Sequence, residues 1–185
     1  MRSVLCLVLL MPCGVVTAQA QDQGNVTALS FSRSMSIPLN GVKLYDGALE
    51  AWTWTFGKEP GAKVEQADRS AGLLNGSARL NFRSKMLNGR EESMGTISYR
   101  IHIQITPGEC RVVVSDLTHT GNRNTARGGI HLGQLRRTDG DVRPKVGMSH
   151  SAAVDLHREM RMAINERITS LLQTMEARIR AQMEP

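Results

Sequence analysis

The chain has 185 residues, which suits a single domain, and its 23 basic against 17 acidic side chains give a net charge of +6 at pH 7. This charge bears on solubility and on contact with anionic surfaces, but it does not determine a fold. Two of the three cysteines lie within the first 13 residues. The composition therefore excludes a small domain stapled by internal disulfides.

The first 20 residues have the pattern of a cleaved export signal. Arg2 gives a positive start, the apolar run Val4–Met11 follows, and the small residues of "AQA" end at Ala20. The run is shorter than the roughly 20 residues of a membrane-spanning helix. The alternatives are a lipoprotein signal at Cys13, which the preceding proline disfavours, and a buried N-terminal helix, which the polar residues that follow disfavour. We expect cleavage after Ala20 and a periplasmic or cell-surface protein.

Cleavage at that point leaves 165 residues, a net charge of about +5 and Cys110 as the one remaining cysteine. We expect this mature chain to fold by its hydrophobic core. We predict an α+β fold in which an antiparallel sheet has helices packed on one face, followed by a long C-terminal helix. The predicted segments are a signal peptide (1–20), a polar spacer (21–30), the α+β sheet domain (31–120), a basic flexible loop (121–149) and the C-terminal helix (150–185).

The first predicted helix follows a short strand at residues 31–38. Asn40 is the predicted N-cap of this helix and Gly57 its predicted stop. Apolar residues recur every four positions on one face of this helix, namely Leu44, Ala48, Trp52 and Phe56. Trp54 lies about 200° from Trp52 around the helix, so we expect it to face another direction. Two further strands are predicted, at residues 62–67 and 73–82.

The strongest pattern is a predicted hairpin within Tyr99–Leu117. Its turn, Thr106–Glu109, has Pro and Gly at the two central positions, which is typical of a type II turn. Outward pairing from this turn places Ile105 opposite Cys110 on the same apolar face. A cysteine among aliphatic side chains behaves as a small hydrophobic residue. We therefore predict that Cys110 is buried and is not a nucleophile.

The segment Gly121–Lys145 carries six basic residues against two acidic ones and no Phe, Trp or Tyr. Without aromatic residues it lacks the stacking platform of single-stranded nucleic-acid binders, so we predict no nucleic-acid partner. Irregular basic segments are usually solvated loops. The functional alternative is contact with an anionic envelope polymer such as lipopolysaccharide. The candidate binding residues are Arg123, Arg127, Arg136 and Arg137.

The C-terminal helix has an apolar stripe whose steps average about 3.9 residues, longer than the 3.6 residues of a helical turn. The stripe therefore drifts around the helix. It consists of Leu156, Met160, Ile164, Ile168, Leu171, Met175, Ile179 and Met183. Because a typical strand is much shorter than this helix, we predict that only its first half packs on the sheet. The second half is predicted to project, with self-association through Leu171, Met175 and Ile179.

These elements resemble the family called domain of unknown function 4468, which has a TATA-binding-protein-like fold. The residues that carry the resemblance are Tyr45 and Trp52 in "LYDGALEAW", Asp68, "GLLNG" (Gly72–Gly76), "SYRIHIQI" and Arg111. It covers residues 35 to about 120 and departs from the family pattern at Cys110, where that family often has an aromatic. It implies an exported bacterial protein, typical of Bacteroidetes-like organisms, whose antiparallel sheet has helices against one face. It implies no activity.

No catalytic or metal-binding motif is found in the sequence. None of the five histidines has HxxxH or HExxH spacing, and CxxC and GxSxG are both absent. We therefore predict a non-catalytic interaction module of the bacterial envelope, without a cofactor, whose partner is an envelope polymer or protein. The alternative is a carrier that holds a small molecule or lipid in a pocket between the sheet and the helices.

Overall fold

The computed structural model describes residues 28–87, 90–126 and 128–182. The predicted signal peptide, most of the spacer, Arg127 and Met183 lie outside these residues. The elements in chain order are β1 (Phe31–Ser36), α1 (Gly41–Trp54), β2 (Lys63–Asp68), β3 (Leu73–Phe82), β4 (Gly95–Thr106), β5 (Glu109–Gly121), β6 (Gly133–Gln134) and α2 (His150–Ala181).

The strands form one antiparallel sheet with the order β1-β5-β4-β3-β2, and β6 also pairs with β5. β1 pairs with the first half of β5 and β6 with Thr118 and His119 near its end, so these two strands follow each other along one edge. The inward side chains of the sheet and of both helices form one hydrophobic core. The predicted α+β fold is confirmed.

The central hairpin has the predicted register. Ile105 pairs with Cys110, Ile103 with Val112 and Ile101 with Val114. Gly108 in the turn has a φ of 84°, the left-handed conformation that a type II turn requires at this position. The Cys110 side chain is fully buried, and burial, with a smaller contribution from Glu109, raises the pKa of its thiol to about 12. The prediction that Cys110 is a packing residue is confirmed.

We expect the Cys110 thiol to react with a thiol reagent only after denaturation. A chain that starts at residue 21 has no other thiol, so titration with Ellman's reagent before and after addition of guanidinium measures this directly. Cys110→Ser should lower the free energy of unfolding by about 1–3 kcal/mol because it buries a hydroxyl without a partner. Rapid labelling of the native protein, or a disulfide-linked dimer, would contradict the assignment.

Helix α1 begins where the sequence predicted. The Asn40 side chain accepts a hydrogen bond from the backbone N–H of Lys43 at 2.9 Å, which caps the helix. The four predicted stripe residues are buried. Trp54 is 49% exposed, and the charged ends of Lys58 and Arg178 lie 4.7 Å and 5.2 Å from the centre of its ring. Since Arg178 belongs to α2, these cation–π contacts help to join the two helices.

The prediction that the second half of α2 projects is wrong. Leu171 is only 6% exposed, and Met175 and Ile179 are fully buried. They pack in the common core, and α2 lies against α1. The three residues proposed for self-association are therefore interior residues of this chain and are not available to a second copy.

The reason for this error is the length of the strands. Helix α2 has 32 residues, or about 48 Å. Strand β5 has 13 residues, or about 44 Å, more than twice the length of a typical strand. A long sheet, together with α1, supports the helix over nearly its whole length. The drift of the stripe is accommodated because neighbours on the same side, such as His157 and Leu172, are buried as well.

The predicted flexible loop at 121–149 is attached to the domain. Ile130, Leu132, Leu135 and Val142 are buried, so the expectation of a solvated loop is wrong for these residues. Leu29, at the end of the predicted spacer, is also buried, and its N–H donates to the carbonyl of Leu135 at 2.9 Å. Four apolar residues at irregular spacing give no periodic signal, and for this reason the pattern alone predicted a loop.

Among the residues that the structure describes, neither helix combines the length and the hydropathy needed to cross a bilayer.

Candidate functional site

A small cavity of about 220 Å³ opens between β6, the segment that follows it and helix α2. It is lined by Leu132, Gln134, Arg136, Val142, Arg143, Lys145 and His157. Three of these side chains are cationic and none is acidic. We call this cavity the basic pocket. Most of its lining residues belong to the basic segment, so we treat it as the candidate site.

Backbone hydrogen bonds hold the wall of the basic pocket against the sheet. The N–H of Leu135 donates to the carbonyl of Leu117 at 2.8 Å, and Leu135 itself is fully buried. The next residue, Arg136, donates its backbone N–H to Nε2 of His157 at 3.1 Å. Arg136 is therefore fixed between a buried leucine and a side chain of α2.

His157 is buried, and its two hydrogen bonds define its tautomer. Because Nε2 accepts from Arg136, the proton is on Nδ1, which donates to Oδ1 of Asp139 at 3.0 Å. An aspartate–histidine pair is also a component of catalytic triads. Here the lone pair of Nε2 is already engaged by a backbone N–H, so the imidazole is not free to act as a general base. The pair serves to hold the pocket wall.

The carboxylate of Asp139 is neutralised by helix α2. Its Oδ2 accepts from Nε of Arg158 at 3.1 Å and from Nη2 of Arg161 at 3.2 Å. Burial would raise the pKa of Asp139, but the hydrogen bonds from His157 and Arg158 outweigh burial and hold the pKa below its ordinary value. The carboxylate of Asp139 is thus already compensated by residues of α2.

Arg143 and Lys145 have no carboxylate partner within the described part of the chain. An anion that enters from solvent can reach the exposed Arg143 and the partly exposed Lys145. The field of Lys145 also reaches the interior, where it contributes to the depressed pKa of His119. These two residues form the electropositive side of the pocket.

His119 connects the sheet to the same segment. Its Nδ1 accepts from the backbone N–H of Leu132 at 3.4 Å, while its Nε2 is buried and has no partner among the described residues. Burial lowers the pKa of His119 to about 4, and the charges of His131 and Lys145 add to this effect. The folded protein therefore holds a neutral imidazole at a pH where the unfolded chain holds a charged one.

Acid should consequently destabilise the protein. Between pH 6.5 and 4 the unfolded state binds a proton at His119 that the folded state does not, so stability falls as the pH falls through this window. At pH 4 the free energy of unfolding should be lower by about 3 kcal/mol than at neutral pH. Urea unfolding at pH 7.5 and pH 4.5 measures it. His119→Leu should flatten the pH dependence, while the exposed His102→Asn should leave it unchanged. An equal slope in all three proteins would contradict this role for His119.

Of the three predicted binding residues that the structure describes, Arg136 alone lines the basic pocket. Arg137 is exposed and donates to the carbonyl of Ala28 at 3.2 Å and to Oγ of Ser30 at 3.0 Å. Arg123 is exposed in the turn after β5, away from the lining residues, and Arg127 lies outside the described residues.

The sequence-based selection missed Arg143, Lys145 and His157. Arg143 and Lys145 belong to the same basic segment as the four selected arginines, and both are among its six basic residues. Nothing in their spacing distinguished them from those arginines. The contribution of α2 could not be found from the sequence, because His157 is brought there by the packing of the helix.

Other surface features give weaker indications of a site. A groove of about 630 Å³ lies between the end of β3 and α2, with both apolar and charged lining, and Met86 and Met162 on it are more than half exposed. Within the described residues, no three His, Cys, Asp or Glu side chains are grouped as metal ligands would be.

The architecture belongs to the α+β proteins with a TATA-binding-protein-like fold. The chain is similar to a DUF4468 family protein from Bacteroides ovatus, with 16% identity, a TM-score of 0.52, and coverage of 80% of this chain and 86% of that one. It is also similar to a TBP-like protein from Parabacteroides distasonis, with 10% identity, a TM-score of 0.55, and coverage of 80% and 93%. These similarities confirm the fold implied by the sequence resemblance. No protein-family model and no curated protein matches the chain.

Proposed function

We propose that this protein is an exported, non-catalytic binding module that attaches to anionic polymers of the bacterial envelope through its basic segment. The observation that carries the proposal is the basic pocket, whose described lining has three cationic side chains, Arg136, Arg143 and Lys145, and no acidic one. The rigid attachment of this segment supports the proposal, because fixed charges lose less conformational freedom on binding than mobile ones. The export pattern that ends at Ala20 supports a location in the periplasm or at the cell surface.

Retention on immobilised heparin and lipopolysaccharide tests this proposal. The protein should bind at low ionic strength and elute as salt approaches physiological concentration, since the Debye length falls to about 8 Å there. Replacement of the three pocket cations Arg136, Arg143 and Lys145, together with the exposed Arg123, by Gln should abolish retention of the folded protein.

A matched variant controls for net charge. Lys63, Arg79, Arg100 and Arg111 are exposed on the uncovered face of the sheet, and their replacement by Gln removes the same four charges. This control should still bind. Equal loss in both variants would mean that net charge alone drives retention, and unchanged retention of the first variant would contradict the proposal.

A carrier function is the second candidate, and the groove between β3 and α2 supports it. Its volume of about 630 Å³ falls within the range of roughly 300–1,000 Å³ that is usual for small-molecule sites. Native mass spectrometry of protein purified from cells would detect a bound lipid. Substitution of Met162 by Glu should abolish that mass shift. An unliganded protein that also fails to bind added fatty acid would exclude this function.

A further inference from the structure

We infer that the basic pocket is a specific site for a compact phosphate group, such as a phosphate ester. This inference deepens the proposed function and rests on it: the phosphate would be the part of the envelope ligand that enters the pocket. Arg143 and Lys145 would be its ligands. The evidence comes from the size of the cavity, the chemistry of its lining and the charges around it.

The size of the cavity limits the ligand to a small group. Its volume of about 220 Å³ is below the roughly 300–1,000 Å³ of sites for drug-sized molecules. The lining also contains no Phe, Trp or Tyr, so there is no surface on which a base or a sugar ring could stack. A compact group that enters from solvent fits these limits better than an extended one.

The lining chemistry selects an anion. Two kinds of cation meet in the pocket, since the guanidinium group of Arg143 presents a planar fork of donors and Lys145 presents a compact point charge. Arginine forks and lysine together suit phosphate, whose several oxygens can accept from more than one donor. The amide of Gln134 adds a neutral donor at the same wall.

The nearby carboxylate that the structure describes is already engaged. Asp139 lies behind His157 and is already paired with Arg158 and Arg161. Because none of the described carboxylates pairs with Arg143 or Lys145, a bound dianion would provide the compensation that the protein itself does not. Binding should therefore also raise the stability of the folded state by linkage.

Thermal unfolding at pH 7.5 tests the inference on the chain from residue 21. Three probes separate the sources of phosphate: inorganic phosphate, glycerol phosphate as a soluble ester, and phosphatidylcholine vesicles with and without phosphatidic acid. Each is compared with chloride at equal ionic strength. We expect phosphate to raise the melting temperature in a saturable way. Arg143→Gln and Lys145→Gln should each weaken the apparent affinity about tenfold or more, the cost of one charged hydrogen bond. Arg100→Gln, on the uncovered face of the sheet, should have no effect.

The outcomes distinguish this inference from the proposed function. Equal melting temperatures in phosphate and chloride, or equal affinities of wild type and both pocket variants, would overturn it. If retention on polymer resin is still lost in the variant with four basic residues replaced, the proposed function stands without the phosphate site. Binding of either phosphate ester supports the inference, and a preference for the vesicles identifies a lipid head group as the source.

Discussion

A chain that ends at Thr169 should not fold. This truncation removes Leu171, Leu172, Met175 and Ile179, all of which are buried in the common core. Loss of one large buried apolar side chain typically costs about 2–5 kcal/mol, and a domain has only about 5–15 kcal/mol of net stability. Four such losses, about 8–20 kcal/mol together, are as large as the whole net stability of a domain or larger. Circular dichroism should show no cooperative thermal transition for the shortened protein.

Two matched comparisons make this result specific. A chain that ends at Ala181 keeps the buried part of α2 and should melt like the full protein. Met175→Ala should cost about 2–5 kcal/mol, while Met162→Ala on the same helix, at a position 58% exposed, should cost less than about 0.5 kcal/mol. A truncation at Thr169 that still melts cooperatively would show that the second half of α2 is dispensable.

Arg167→Leu should be the most damaging single charge removal in the protein. The Glu59 carboxylate is only 2% exposed, and Arg167 pairs with it through Nη2 and through Nε, the latter at 3.1 Å. Burial, together with the nearby Glu59 charge, raises the pKa of Tyr99, so its hydroxyl stays protonated and donates to Oε2 of Glu59 at 3.3 Å. Removal of the guanidinium leaves a buried carboxylate without its counter-ion, at a cost of about 3–5 kcal/mol.

The opposite substitution should cost less. In Glu59→Gln the arginine loses its partner, but its side chain is 46% exposed and can turn to solvent. We expect a loss of about 1–3 kcal/mol from the weakened hydrogen bonds. The double variant should then be more stable than Arg167→Leu alone. Urea unfolding of all four proteins forms a double-mutant cycle. Equal costs for the two single variants would contradict the asymmetry.

The fold could be predicted where local rules dominate. The turn at Thr106–Glu109 fixes the pairing of β4 with β5, and strict alternation then determines which side chains face the core. For this reason the burial of Cys110 was predictable from the sequence. The start of α1 was predictable in the same way, because the Asn40 cap and the apolar face indicate the same residues.

The error on α2 arose because its environment depends on distant residues. The stripe was identified correctly, but whether Met175 and Ile179 are covered depends on the length of β5 and on the position of α1. A sequence pattern indicates that a face is apolar, and it does not indicate which element covers that face.

The candidate site could be predicted only as a region. The basic segment indicated the positive charge of the site, and Arg136 was one of the residues predicted from this segment. Arg143 and Lys145 are brought beside Arg136 by the burial of Leu135 and Val142, and His157 is added by a helix that begins later in the chain. Such convergence depends on tertiary packing, which no short-range pattern encodes.

The most direct measurement of the central claim is the location of the anion on the protein. A ¹⁵N-labelled chain from residue 21 should be titrated with a short heparin-type oligosaccharide while backbone amide shifts are recorded. If the account is correct, the largest changes fall on residues 132–145 and on His157, and they vanish at high salt. Changes centred on Lys63, Arg100 and Arg111 across the uncovered face of the sheet, or no changes at low salt, would contradict it.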